Sequence, residues 1–311
     1  MSVDDWPAPE PLPTDEPIRP RVLLLPAARL PGIDELDPWL EDLAPERVHQ
    51  LPGGDGPLYL SADGIAVTTT GVGKVDAATT VTALCSRPEI ALGETILLTV
   101  GIAGGHPARV PLGSVVIADA VVDWDTKHRW DRPHDSAGAG SEDPERSDQA
   151  ALIDRLAYRP REYHHELDRE LVDRLLAAGE GVDLATDSSV RAAQERYALT
   201  SGDGPAVRTG TTVCGDEYWH GEGLATAVDW LCDTYGVGPY VTTQMEDAAT
   251  VRVLERFGHH ERYASLRAVA NYDRTPPDAE PTESFEGSPA AIELALENLR
   301  RVGLAAIEAL G

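Results

Sequence analysis

Residues 238–273 read GPYVTTQMEDAATVRVLERFGHHERYASLRAVANYD, and this stretch decides the fold. The run YVTT at 240–243 is rich in β-forming residues and predicts a short strand. The apolar spacing that follows predicts an amphipathic helix, which Gly258 ends. A second apolar run, Ser265 to Val269, predicts another strand. A strand, a helix and a strand in this order indicate an α/β unit.

Polar side chains follow both predicted strands. Met245 and Glu246 come before the helix, and Asn271 and Asp273 come after the second strand. Ligands of open α/β sheets bind at the carboxyl ends of strands. A carboxylate there can accept hydrogen bonds from two ribose hydroxyls, and an acid or amide can bond purine N7 and ease departure of the base. The alternatives are a helix-end charge for Glu246, as we expect for Asp247, and an Asx turn at 271–273.

Charge limits the possible partners. The chain has 311 residues with 53 acidic against 26 basic ones, and its net charge is -27. Such a chain repels nucleic acid backbones, so we expect no nucleic-acid partner. Only Lys74 and Lys127 are lysines. An acidic, lysine-poor surface suits a cytoplasm of very high salt, where charge repulsion is screened, and we expect a halophilic source; biased codon usage in an ordinary acidic protein is the alternative.

The cysteines and the N-terminal residues point to a cytoplasmic protein. Cys85, Cys214 and Cys232 form neither a disulfide framework nor a zinc spacing, so we expect buried thiols, a reducing compartment and no metal. Residues 1–20 are acidic and proline-rich without an apolar signal region, which predicts a disordered tail. Residues 21–311 are long enough for one large domain. The absence of about 18 consecutive apolar residues predicts no transmembrane helix.

The rest of the chain alternates strands with helices. Strands are predicted at 21–25, 57–70 (a hairpin), 95–100, 114–122 and 206–214, and helices at 74–86, 148–158, 162–178, 222–235 and 288–309. Residues 123–148 are polar, and the run SAGAGSEDPE at 136–145 within them predicts a mobile loop. This alternation, with apolar strands, indicates an α/β fold whose mostly parallel or mixed sheet carries helices on both faces.

Two shorter motifs each allow a structural and a functional interpretation. The sequence GVGK at 71–74 could cradle an anion at a helix N-terminus, but it lacks a nucleotide fingerprint, and a tight strand-to-helix turn is the favoured interpretation. Tyr218 and Trp219 follow a predicted strand in a polar loop. They could stack on a planar base or simply cover the sheet edge.

In this order, the segments GVGKVDAATTVTAL, TVGIAGG, GTTVCGDEYW, TTQMEDAA and RAVANYD resemble the successive motifs of the nucleoside phosphorylase and nucleosidase superfamily. Within it, VVIADAVVDWDTKHRWD and GDEYWHGEG make the chain most similar to the purine nucleoside permease (NUP) branch. The resemblance covers residues 20–309, and the order of five motifs carries it rather than any single one.

The resemblance implies a three-layer α/β/α fold with a central mixed sheet, and it implies roles for single residues. Met245 and Glu246 would hold the ribose, and Tyr218, with Trp219 beside it, would stack on the base. Val72 would lie near the same pocket. The residues implied beside a water or phosphate site are Gly101, Ile102 and Ala103.

The chain departs from the superfamily pattern at the base. Nucleosidases carry an aspartate general acid in a RAISD-like motif, and Asn271 stands at that position here. Asp273 lies two residues later and is the alternative catalytic residue. An asparagine also occurs here in one class of purine nucleoside phosphorylases, where it contacts N7.

The chain also departs where the nucleophile would bind. Phosphorylases often place an arginine two residues before the first glycine of the TVGIAGG-like motif, and that residue is Thr99 here. The first loop usually offers an acid for water or an arginine for phosphate. Here it contains Arg29, while the acid is displaced to Asp34 or Glu35. Water and phosphate both remain open as nucleophiles.

We therefore expect cleavage of the N-glycosidic bond of a purine nucleoside, by a phosphorylase or a nucleosidase. No cofactor is expected, although phosphate is a possible co-substrate. The alternative is a nucleoside-binding protein without catalysis that assists a separate membrane transporter, because a lone permease needs apolar helices or a closed barrel. A third possibility is an enzyme acting on another glycoside. A homo-oligomer is expected from the superfamily.

Overall fold

The structure is a computed structural model that describes residues 6–128, 155–156, 163–197, 204–280 and 288–311. The helices are α1 (Asp37–Leu43), α2 (Lys74–Cys85), α3 (Arg169–Glu180), α4 (Ser188–Glu195), α5 (Glu222–Tyr235), α6 (Asp247–Phe257) and α7 (Pro289–Ala309), with a 3₁₀ turn at His260–Arg262. The strands are β1 (Val22–Leu25), β2 (Arg29–Leu30), β3 (Ile33–Asp34), β4 (Arg47–His49), β5 (Leu58–Leu60), β6 (Ile65–Val67), β7 (Ile96–Gly105), β8 (Val115–Asp123), β9 (Lys127–His128), β10 (Arg155–Leu156), β11 (His164–Glu166), β12 (Val207–Cys214), β13 (Tyr240–Gln244) and β14 (Tyr263–Tyr272).

One large mixed sheet forms the centre of the protein. Its strand order is β11-β8-β12-β13-β7-β1-β6-β5-β4, and β14 pairs with both β7 and β8. Because β14 connects β7 to β8, the strands β8, β12, β13, β7 and β14 close into a ring. Strand β1 runs parallel to β6 and β7, whereas β13 meets β7 antiparallel. The expected α/β/α architecture with a central mixed sheet is confirmed.

The helices pack against this sheet in two groups. Helix α2 packs on α6, while α7 packs on β14, α3 and α1. Helices α3 and α7 are capped by Asp168 and Ser288, whose side chains accept backbone N–H bonds. Helix α6 ends at Gly258, whose φ of 77° is the left-handed conformation that the sequence predicted for this glycine. Strand β1 is completely buried at the centre of the core.

The helix predicted at 162–178 is wrong in its first turns. Residues 164–166 form strand β11, which pairs with β8. Tyr163 and His165 are buried while Glu166 is exposed, so burial alternates with the period of a strand. The helix begins only after Asp168. The helix predicted at 148–158 lies mostly outside the described residues, but within it Arg155–Leu156 pairs with β9 as a strand.

The strand predicted at 95–100 is longer than expected, because the glycine-rich segment 101–105 forms the second half of β7. Strand β14 pairs along it as far as Tyr272 opposite Gly105. A Cβ on Gly105 would lie 2.5 Å from Cγ1 of Val269, so only glycine fits between these strands. The described part of the expected tail, residues 6–20, packs against the domain: Glu10 bridges to His49, and the buried Ile18 bridges to Ile90.

Candidate active site

A pocket of about 340 Å³ opens where β7, β13 and β14 end, a volume within the range of small-molecule sites. Most of the residues predicted for the site line this pocket: Val72, Ile102, Ala103, Tyr218, Trp219, Met245, Glu246, Asn271 and Asp273. The lining also includes Ala27, Ala28, Glu35, Gly104, Thr243, Gln244 and Arg267. The sheet topology therefore brings together side chains from six separate segments.

Glu246 sits at the floor of the pocket, between β13 and α6, and is almost fully buried. Its Oε1 accepts a hydrogen bond of 3.0 Å from the backbone N–H of Gly73, and its Oε2 lies 3.2 Å from Arg267. Its own N–H donates to Oε1 of Gln244. Burial raises the pKa of Glu246, and the positive charge of Arg267 and the Gly73 N–H oppose that rise. The carboxylate is thus held in one orientation.

Arg267 is the buried cation of the site, at 1% exposure in the middle of β14. Its guanidinium bonds both oxygens of Asp247, and Ser265 donates a 2.6 Å bond to the same carboxylate. Asp247 is fully buried. The expectation that Asp247 is only a helix-end charge is therefore wrong, because it is the direct counter-ion of Arg267.

Glu35 is a second buried carboxylate in the pocket, and it lies directly after β3 in the first loop. It accepts three backbone N–H bonds, from Ala27 and Ala28 at 2.8 Å each and from Ile102 at 2.7 Å. Burial raises its pKa, which these bonds and the charge of Arg267 oppose. Of the two acids that the sequence offered in this loop, Glu35 is the one that reaches the pocket.

Gly101 does not line the pocket, but it makes this arrangement possible. A Cβ at Gly101 would lie 2.7 Å from Oε1 of Glu35 and 2.9 Å from Nη1 of Arg267. Any side chain here would displace one of these two groups. The glycine therefore lets the backbone of β7 approach the buried charges closely.

Neutral polar and aromatic side chains, among them Asn271, Tyr218 and Trp219, also line the pocket. The Asn271 amide donates to the Tyr218 hydroxyl at 3.2 Å and to the carbonyl of Tyr272 at 3.3 Å. Tyr218 is half exposed, whereas Trp219 is buried against Trp124 and Tyr240.

Asp273 lines the pocket, but both of its oxygens have partners. Oδ1 lies 2.8 Å from Nε of Arg274, and Oδ2 accepts a 2.7 Å bond from the Tyr240 hydroxyl. Burial raises its pKa, while Arg274 and Tyr240 oppose that rise. Asp273 is therefore held in a buried network that connects β14 with β13 and, through Arg274, with Glu222 at the start of α5.

The two residues predicted for phosphate or water binding are not brought to the pocket. Arg29 pairs with Asp34 at 3.3 Å and Asp37 at 3.6 Å, and neither Arg29 nor Thr99 belongs to the pocket lining. Thr99 is buried in β7, where its hydroxyl bonds that of Tyr263. The sequence reasoning did not find Arg267, although a single arginine inside the apolar run SLRAVA is a signal that a buried counter-ion exists.

Solved structures similar to this one share the nucleosidase fold. Futalosine hydrolase of Helicobacter pylori strain 26695 superposes with a TM-score of 0.59 at 17% identity over 93% of this chain and 97% of its own. A 5′-methylthioadenosine/S-adenosylhomocysteine nucleosidase from Neisseria meningitidis, in complex with methylthio-immucillin-A, gives 0.56 at 15% identity over 94% and 99%. The protein therefore has the fold of nucleosidases of the nucleoside phosphorylase superfamily.

Residues 19–310 match the family model described as purine nucleoside permease (NUP), so the chain belongs to that family. The purine nucleoside permease of Candida albicans is 28% identical over 292 residues, which cover 85% of this chain and 69% of the relative. A probable purine nucleoside permease of Schizosaccharomyces pombe is 28% identical over 68% of this chain and 65% of its own. Among the described residues, each helix is too short or too polar to cross a bilayer.

Proposed function

We propose that this protein binds a purine ribonucleoside and hydrolyses its N-glycosidic bond. The observation that carries the proposal is the pair of buried carboxylates, Glu35 and Glu246, which line one pocket and flank Arg267. Each is oriented by backbone N–H groups rather than by mobile side chains alone. Two charged groups fixed in this way can act on a substrate without reorganising.

Glu246 would bind the ribose. Each of its oxygens has one protein partner, and a carboxylate oxygen can accept two bonds, so both can still accept a hydroxyl proton. Its negative charge would stabilise the oxocarbenium character that develops on the sugar as the bond breaks. Met245 also lines the pocket and would pack against the ribose beside Glu246.

Glu35 would hold and deprotonate the attacking water. The water oxygen bonds to C1′ of the ribose while one of its protons passes to the Glu35 carboxylate. The C1′–N9 bond breaks, and its electron pair leaves with the base. The Asn271 amide would donate a hydrogen bond to N7 in place of its bond to the Tyr218 hydroxyl, and so stabilise the departing base, on which the Tyr218 ring would stack. Between Asn271 and Asp273, the amide is favoured because N7 needs a hydrogen-bond donor: Asn271 carries N–H groups, whereas the Asp273 carboxylate accepts from Arg274 and Tyr240.

The charges of the pocket favour water over phosphate. Among the described lining residues, Glu35, Glu217, Glu246 and Asp273 are acidic, and Arg267 is basic. Arg267 is matched by Asp247, and Arg29 lies outside the lining. A phosphate dianion would meet carboxylates without a free cation, which is unfavourable in a buried site.

The proposal is tested by incubating the purified protein with inosine, adenosine and guanosine, with and without phosphate, at low and high salt. Free base and ribose without phosphate are expected. Glu35→Gln and Glu246→Gln are each expected to lower kcat/KM by about 10²–10⁴-fold, while Asp42→Asn on α1, which is not part of the pocket lining, should leave it unchanged. Ribose 1-phosphate formed only with phosphate would refute hydrolysis and point to a phosphorylase.

A second candidate follows from the names of the relatives, which are called purine nucleoside permeases. In that case the pocket would bind nucleosides without cleaving them, and the protein would assist a separate membrane transporter. Calorimetric binding of inosine without release of base, in wild type and under both salt conditions, would favour this role over catalysis.

A further inference from the structure

Lys74, one of the two lysines of the chain, begins α2 next to the pocket. Its Nζ lies 3.0 Å from Oδ1 of Asp123 and 2.7 Å from Oδ2 of Asp125. The lysine side chain is 18% exposed, so the cluster is largely removed from solvent. Burial acts to lower the pKa of Lys74, but the hydrogen bonds and charges of Asp125 and Asp123 raise it on balance. The ammonium group is therefore charged and held at the end of β8.

Asp216 closes this cluster into a ring. Its backbone N–H donates to Oδ2 of Asp125, and its own Oδ1 accepts the backbone N–H of Lys74, each at 2.7 Å. Gly73, the residue that precedes α2, has a φ of 89° and no side chain with which to cap the helix. Asp216 supplies that cap from the loop after β12. The ring thus ties together the end of β8, the loop after β12 and the start of α2.

The same ring borders both halves of the pocket. Gly73, whose N–H orients Glu246, is adjacent to Lys74, and a Cβ on it would lie 3.0 Å from Oδ1 of Asp216. Glu217 and Tyr218, which line the base side, follow Asp216 directly. Movement of the start of α2 would therefore change the position of the amide that holds the ribose-binding carboxylate.

We propose that Lys74 is a positioning residue of the ribose site, which acts through the Gly73 amide on Glu246. Without its charge, Asp123 and Asp125 face each other uncompensated, and the start of α2 moves away from β8. The Gly73 N–H then no longer fixes Glu246 against the ribose hydroxyls. This inference rests on the proposed role of Glu246, but it concerns binding and does not require cleavage.

The test compares a ribonucleoside with its 2′-deoxy counterpart, because Glu246 would grip the pair of hydroxyls that only the ribonucleoside has. Inosine and 2′-deoxyinosine are titrated calorimetrically into wild type, Lys74→Met, Lys74→Arg and Asp125→Asn. The matched control is Asp42→Asn, which removes a similarly exposed ion-pair partner from Arg300, and neither residue belongs to the pocket lining. Thermal unfolding of each variant is recorded alongside.

In Lys74→Met, the affinity for inosine is expected to fall about ten-fold. The affinity for 2′-deoxyinosine should fall clearly less, so the ratio of the inosine affinity to the 2′-deoxyinosine affinity becomes smaller. In Lys74→Arg this affinity ratio should stay close to that of wild type, and in Asp42→Asn it should be unchanged. An unchanged ratio in Lys74→Met, or equal losses for both ligands, overturns the proposal and leaves the ring a purely structural role.

If Lys74→Met does not fold, Asp125→Asn is judged by the same ratio, since Asp125 holds both Lys74 and Asp216. Wild-type binding without cleavage would refute the hydrolytic function while the ratio still tests Lys74. Failure of wild type to bind either nucleoside would refute both proposals.

Discussion

Replacing Arg267 with methionine is the most direct test of the buried charge cluster. The guanidinium contacts Asp247 through two nitrogens and also lies within 3.2 Å of Glu246 and 3.3 Å of Gln244. Arg267, Glu246 and Asp247 are all at most 3% exposed. Methionine fills much of the same volume, so the change removes chiefly the positive charge and its hydrogen bonds.

Removing one partner of a buried ion pair costs about 3–5 kcal/mol, because the remaining charge is buried without compensation. Here two carboxylates lose a direct partner and Glu35 loses a nearby positive charge. We therefore expect the upper part of that range at neutral pH, a large share of a total stability of about 5–15 kcal/mol. The double variant Arg267→Met/Asp247→Asn should recover part of this loss, because it removes the closest unpaired carboxylate as well.

The loss should depend on pH in a defined direction. The pKa values of Glu35 and Glu246 are already raised by burial, and removing Arg267 raises them further. A carboxylate whose pKa is higher in the folded state favours folding below its unfolded pKa and loses that contribution as pH rises through the folded value. The variant should therefore be least stable relative to wild type at neutral pH, and its stability should approach that of wild type as pH falls towards 4.5, the ordinary pKa of a glutamate.

Urea unfolding followed by circular dichroism at pH 7.5 and at pH 5 measures this difference. Arg300→Met is the control, since Arg300 pairs with Asp42 and Glu297 at the surface, where an ion pair contributes about 0–1 kcal/mol. A loss for Arg267→Met no larger than that of Arg300→Met, or a difference that grows at low pH, would refute the assignment of Arg267 as the counter-ion of the cluster.

Three further predictions concern activity. In the pH profile of kcat/KM, the midpoint of the acid limb should lie above the ordinary pKa of a glutamate, because burial raises the pKa of Glu35, the proposed base. A midpoint at or below that ordinary value would contradict this role. Gly101→Ala should reduce kcat/KM by at least about ten-fold with little change in KM, since the new methyl group would lie 2.7 Å from Glu35 Oε1; steady-state kinetics against wild type measures this. Asn271→Ala should lower kcat by about 10²-fold, whereas Tyr218→Phe, which keeps the ring, should cost less; equal kcat in wild type and Asn271→Ala would exclude the amide from the reaction.

Local sequence patterns predicted the elements around the site well, because their signals lie within a few residues. The strand at 240–244, helix α6 and its end at Gly258 follow from β-forming residues, apolar spacing and one glycine. The position of Glu246 between strand and helix follows directly from them. Strand β11 was missed altogether, because a histidine pair gives no strand signal until Tyr163 and His165 are known to be buried.

The partners of the site residues could not be predicted from local patterns. Glu35 is oriented by Ile102, which lies 67 positions along the chain, and Glu246 by Gly73 at a separation of 173. These contacts join segments that lie close together because β13, β7, β1 and β6 are neighbours in the sheet. The sequence predicted Asp247 to be a helix-end charge, because its partner Arg267 lies 20 positions away and the two meet only in the folded structure.

Under the proposed hydrolytic function, the arrangement of charge would make a cluster that costs stability useful for catalysis. Glu35, Glu246 and Asp247 share one arginine, so the resting site holds more negative than positive charge in a buried place, and burial raises the pKa of both glutamates. A neutral nucleoside does not compensate this excess, but a sugar that develops positive charge does. The interaction is therefore stronger in the transition state than with the bound substrate, which is the condition for raising kcat rather than affinity alone. A phosphate nucleophile would add to the same excess, and for this reason the cluster that favours an oxocarbenium ion also favours water as its partner.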